Sequence, residues 1–205
     1  MSDQELPDDI RNLYKSLLND IILSHTRWEI FKELYTHSDE RMVLLSETAP
    51  GFFRFLRDML VDDAIMIITR LLETKRSRDS LKRLLILSQN YCQEKVYKEW
   101  ESGLESIVQS EHYLKILEHR NRRVAHRALK YSDLNEDLPI ITRKAIENTL
   151  EDIGKWFNQI SGYLFKNENV FTAFYKGDPD TLVYFLDLGR KLDKLYMEIK
   201  KNQTS

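Results

Sequence analysis

FFRFLRDMLVDDAIMIITRLLE, residues 52–73, decides the fold class. Its apolar residues fall into two adjoining stripes. Phe53, Leu56, Leu60, Ala64, Ile67 and Leu71 form one, and Val61, Ile65, Ile68 and Leu72 lie beside it. Spacings of three and four follow the helical period rather than the alternation of a strand. Thr48, Pro50 and Gly51 mark the start, so the pattern predicts a helix over about 51–73. A helix apolar over so much of its circumference belongs at the centre of a bundle. Asp62 and Asp63 lie on its polar edge, where they suit a structural salt bridge better than a site.

The flanking segments carry the same period. Pro7 suits a first helical turn, and Asp8 and Asp9 are favoured there by the helix dipole. Ile10, Tyr14, Leu17, Ile21, Trp28, Phe31 and Tyr35 then recur at helical spacing to about residue 36, with Ser24 as the one polar interruption. THSDER, 36–41, reads as a loop and KRSRDS, 75–80, as a polar connection. Asp79 or Ser80 can cap a helix from Leu81 to about Cys92. Residues 93–103 predict a second helical piece ending in a break at Gly103. The next helix is expected from Leu104 through the basic stretch, with Ile107, Leu114, Leu117, Val124 and Ala128 on its buried side. Asn121 follows Leu114 by seven and falls on that side, where an amide needs partners.

SDLNEDLP, 132–139, is a turn cluster, and KNENVFTAFYKG, 166–177, is irregular. Between them Ile146, Leu150, Ile153, Phe157, Ile160 and Leu164 build an amphipathic helix. Asp178-Pro179 opens a last helix bearing Leu182, Leu186, Leu192, Leu195 and Ile199. No strand, repeat or low-complexity tract stands out. The expected class is all-α, a bundle of long antiparallel helices, five to seven in number. Residues 1–165 form the bundle, and 166–205 form a C-terminal helical extension packed on the same domain.

Composition narrows the function. A net charge of −2 over 205 residues means that nucleic-acid binding would have to come from a local patch. Cys92 is the only cysteine, so no internal disulfide is open to the chain, and a reducing compartment fits. The opening MSDQELPDD lacks the pattern of a signal peptide, and the longest apolar run is far short of the ~20 residues that span a bilayer. The expected location is the cytoplasm, without a membrane partner.

The local patch is HRNRRVAHRALK, residues 119–130. Arg120, Arg122, Arg123, Arg127 and Lys130 stand there with no acid among them, beside His119 and His126. One sign of charge around two groups that titrate near neutral pH suits an anionic substrate or partner. His112, His119 and His126 recur every seven residues, but along one helix each step is ~10.5 Å, too far for two of them to share a zinc ion. No metal or cofactor is expected. No glycine-rich phosphate loop is present, and Cys92 at the apolar end of a helix reads as a core filler.

RNRRVAHR, 120–127, resembles the signature of HEPN-domain proteins, an arginine and a histidine separated by four to six residues, with Asn, Asp or His after the arginine. Arg120, Asn121 and His126 fit it. With the long first helix, the 52–73 stretch, SLKRLL and KGDPDTLVYFLDLG, the whole chain is similar to the AbiU-like abortive-infection branch of that family. The resemblance implies metal-independent endoribonuclease chemistry at a homodimer interface, acting in phage defence or as a toxin. Arg120 and His126 would be catalytic, with Asn121 orienting one of them, and the product would end in a 2′,3′-cyclic phosphate. Arg122, Arg123, Arg127, His119 and Lys130 would bind RNA. An antitoxin or defence-system protein is a further expected partner. In another subgroup of the family a modified tyrosine stands two residues after the histidine; here that position is Ala128.

Six positions along a regular helix place Arg120 and His126 ~120° apart, whereas Arg122 and His126 share a face. A distorted helix, a dimer partner, or Arg122 as the closer companion would each resolve this. The plain alternative is a solvated face paired with Glu118 and neighbouring acids, on a non-catalytic scaffold that binds RNA, nucleotide or a protein.

Overall fold

The computed structural model describes residues 6–73, 79–128, 141–171 and 178–204, except for the side chains of 123–128, 178, 203 and 204. Among them are eight α-helices and no strand: α1 (Asp8–Tyr35), α2 (Asp39–Thr48), α3 (Pro50–Leu71), α4 (Leu81–Ser88), α5 (Glu94–Gln109), α6 (Glu111–Ala128), α7 (Arg143–Ile160) and α8 (Asp178–Thr204). A 3-10 turn follows α4 and a π-helical turn, Ser161–Phe165, extends α7. The class is all-α, as expected. The turn cluster at 132–139 lies outside the described residues, as do residues 172–177 of the irregular stretch before α8.

Eight helices exceed the expected five to seven because of α2, and one boundary between two expected helices moves. THSDER is not all loop: the Ser38 hydroxyl accepts from the Arg41 amide, and Asp39 and Glu40 occupy the first turn of α2. Gly103 is not a break: α5 runs through it to Gln109. The glycine serves a close approach instead, since a Cβ there would lie 3.2 Å from Cδ1 of Trp156. The true break is Ser110. Its extended backbone (φ −64°, ψ 143°) ends α5, and its hydroxyl accepts from the Tyr113 amide at 3.2 Å to start α6.

The helices divide between two compact units. One holds α1 through His25 and Asp63–Phe171. Its hub is α7, which buries Ile146, Leu150, Ile153, Trp156, Phe157 and Ile160 and packs on both α5 and α6. The expectation of α3 as the central helix is corrected here, because its apolar surface is divided: only the half from Asp63 lies in this unit, burying Ala64, Ile65, Ile68 and Leu71. Several polar groups of this unit are paired. The Tyr14 hydroxyl lies 2.7 Å from Ser161 Oγ, which in turn donates to Asn167 O at 2.8 Å. Arg70 of α3 pairs with Asp20 of α1 at 2.7 Å. The Trp156 indole donates to Trp100 O at 2.7 Å. Cys92 is half-buried in this unit, and burial pushes its thiol up.

The other unit holds Thr26–Asp62 and α8. Leu34, Leu45 and Phe53 form its core, with Val183 and Leu186 of α8 against them. Arg41 pairs with Asp180 at 2.7 Å and Arg190 with Glu47 at 2.9 Å, both joining α8 to α2.

Gly103→Ala tests the reading of α5. Alanine favours a helix interior by ~1 kcal/mol, but the facing indole is buried and held by its hydrogen bond, so overpacking outweighs that gain. Urea unfolding is expected to show a net loss of about 1 kcal/mol. A gain would restore the view of Gly103 as a helix weakness.

Candidate functional site

The break at Ser110 sets the rotation of α6. A stripe extrapolated from Ile107 to Leu114 and Asn121 does not survive it, because the helix restarts with a new phase. Leu114 is 51% exposed and Asn121 is exposed. The inward positions are Tyr113 and Ile116, both buried, with Leu117 and Arg120 half-buried on the same side. The expectation of a buried Asn121 is therefore corrected: the amide faces solvent, and the arginine before it turns inward.

Arg120 is held at one edge. Its Nη1 donates to Asn121 Oδ1 at 3.1 Å. Its Nε is buried and has no hydrogen-bond partner among the described residues. A buried guanidinium donor left without an acceptor costs ~1–3 kcal/mol, and charge-assisted bonds to an anion are the natural relief. Burial pushes the Tyr113 phenol up, against a pull from the Arg120 charge and with a smaller rise from Glu73. Tyr113 is thus a neutral wall beside the cation at ordinary pH. Neither Tyr113 nor Glu73 was singled out from sequence; the signal for Tyr113 was its position seven residues before Arg120.

The other basic residues are placed differently. Arg122 pairs with Glu118 at 2.7 Å across one turn, with about half of each side chain exposed. A pair so exposed is worth ~0.3–0.5 kcal/mol and yields readily to a phosphate. His119 is half-buried. His112 sits 2.9 Å from the Asn148 side-chain amide of α7. Among the described residues no three metal-ligating side chains converge. Arg123, His126 and Arg127 lie on α6, but their side chains are outside the described residues, and Lys130 is outside them altogether.

The backbone still decides one open question. The helix α6 runs from Glu111 to Ala128 as uninterrupted α-helix, so no distortion brings Arg120 and His126 onto one face. They stand ~9 Å apart along the axis and ~120° around it. Two of the three resolutions remain: a second chain, or Arg122 as the companion of His126 after release from Glu118.

An all-α bundle carrying Arg-Asn and, five positions after the asparagine, a histidine on one regular helix is a domain of HEPN type. A family model described as AbiU2 matches residues 7–185, and the chain belongs to this HEPN AbiU2 family, which is related to abortive infection. No curated protein and no solved structure matches the chain. No helix among the described residues is long and apolar enough to cross a membrane.

Exposure of Asn121 carries a clear consequence. Asn121→Ala is expected to change folding stability by less than ~0.5 kcal/mol, as a surface substitution does, while freeing Arg120 Nη1. Chemical denaturation of the variant checks this. A loss of several times that size would put the amide back in the core.

Proposed function

We propose that this protein is a metal-independent endoribonuclease of a phage-defence or toxin system, acting in the cytoplasm on RNA at a site built from two copies of α6. The observation that carries the reading is Arg120, drawn to the inward side of a basic helix, braced by Asn121 and left with a buried donor on Nε. An arginine so placed can bind two phosphate oxygens and stabilise charge as it builds on phosphorus. RNA supplies the nucleophile. His126 of one chain takes the 2′-OH proton as the 2′-oxygen bonds to phosphorus. The bond from phosphorus to the 5′-oxygen breaks, and the second imidazole protonates the leaving oxygen, giving a 2′,3′-cyclic phosphate and a free 5′-OH.

A regular α6 keeps Arg120 and His126 of one chain on different faces, which favours completion by a second chain over a site within one chain. Arg123 and Arg127 would extend the cationic track along the strand, together with His119, Arg122 and Lys130. A defence-system or antitoxin protein is proposed as a further partner because an unregulated ribonuclease harms its own cell.

The test is cleavage of total RNA in the presence of EDTA. Wild-type protein is expected to cut, and His126→Ala to lose ~10²–10⁴-fold in rate while keeping RNA affinity. Arg120→Ala should lose both rate and affinity. Arg123→Ala and Arg127→Ala should chiefly lower affinity, each reducing the salt slope by ~0.7 on single strands. Tight binding without cleavage by the wild type would establish the non-catalytic scaffold instead, and wild-type rates in His126→Ala would remove the motif from the chemistry.

A further inference from the structure

The last helix carries apolar residues that nothing in its own unit covers. Val183 and Leu186 face the core, and every residue from Lys191 to Asn202 is exposed. Phe185, Leu188, Leu192, Leu195 and Ile199 are 61, 39, 58, 53 and 49% exposed. They recur at steps of three, four, three and four, the seam of a coiled coil. The uncovered end, residues 191–202, is short enough to be marginal as a helix on its own in water, and so large an apolar stripe marks an interface. Most of it lies beyond residue 185, where the family match ends.

Charge and shape name the occupant. We propose that α8 pairs with α8 of a second copy of this chain, antiparallel, about a two-fold axis between residues 193 and 194. That register faces Leu192 with Leu195 of the second copy and Leu188 with Ile199. Lys191 and Glu198 each directly precede a seam residue, Leu192 and Ile199. In an antiparallel pair such positions meet one another, so Lys191 faces Glu198 of the second copy, twice by symmetry. In a parallel pair they would face Tyr196 and Gln203, with no ion pair.

Two further features fit the antiparallel register. Gly189 sits in the helix interior, where glycine is unfavourable, and a Cβ there would meet nothing within 4 Å of its own chain. The register sets Gly189 against Tyr196 of the second copy, where the missing side chain leaves room for the ring. Lys191 now pairs with Asp187 at 2.7 Å, but Arg190 also holds Asp187, at 3.0 Å. Lys191 can turn to a new partner without leaving that carboxylate alone.

Sedimentation equilibrium of the full chain at low salt tests the proposal, with circular dichroism confirming that each variant folds. Wild type is expected to dimerise at micromolar concentration, and Leu192→Lys to break the pairing. Lys191→Glu and Glu198→Lys should each weaken it by about tenfold, and the double variant K191E/E198K should restore it. Restoration by the double variant is particular to the antiparallel register. A dimer untouched by Leu192→Lys and Glu198→Lys would overturn α8 pairing while leaving a dimeric α6 site standing. A double variant no better than the singles would overturn the register. A wild-type monomer that binds anionic vesicles through α8 would give the stripe to lipid and overturn the proposal.

Discussion

One residue sets which side of the basic helix faces the protein. Ser110 leaves the helical region, ends α5, and caps α6 through its hydroxyl. Without that interruption the rotation of α5 would carry on, and the heptad from Ile107 would bring Leu114 and Asn121 inward. With it, Tyr113 and Ile116 anchor α6 against the unit, and Arg120 follows them in. The placement of a guanidinium partly out of water is thus a consequence of a capping bond several residues away.

Partial burial is what distinguishes Arg120 from an ordinary surface arginine. In water a guanidinium and a phosphate attract weakly, and salt screens them. Against the buried Tyr113 and with one donor lacking an acceptor among the described residues, the same charge acts in a lower dielectric and is already oriented. The rest of the stretch is ordinary surface by comparison. Arg122 is occupied by Glu118 in a contact weak enough to exchange. On the proposed ribonuclease reading, the inward Arg120 would orient the reacting phosphate, while the exposed Arg122 would add general affinity for the strand.

Most of the helix boundaries were legible because they rest on local chemistry. Pro7, Pro50 and Pro179 stand at helix starts, and Ser80 caps α4 as its type predicts. The misreadings came where one residue type serves two physical ends. Glycine can break a helix or admit a close neighbour, and at Gly103 the neighbour is Trp156, 53 positions away in sequence. Serine can sit quietly on a helix or cap one, and Ser110 gave no sign of which. An undetected cap shifts the phase of everything after it, so the expected buried side for Asn121 is wrong and the inward turn of Arg120 is not foreseen. On α8 the apolar period was plain, but periodicity does not tell whether a stripe is buried in its own chain or against another.

The central claim is that the site needs two copies of α6, because a regular helix separates Arg120 from His126. Activity of mixed dimers tests it most directly. Wild-type chains are equilibrated with increasing proportions of His126→Ala chains, and cleavage is followed at constant total protein. If two imidazoles act in one composite site, a mixed dimer is inactive and the rate falls with the square of the wild-type fraction. A rate that falls in simple proportion to that fraction would mean that each chain cuts RNA alone, and would contradict the account.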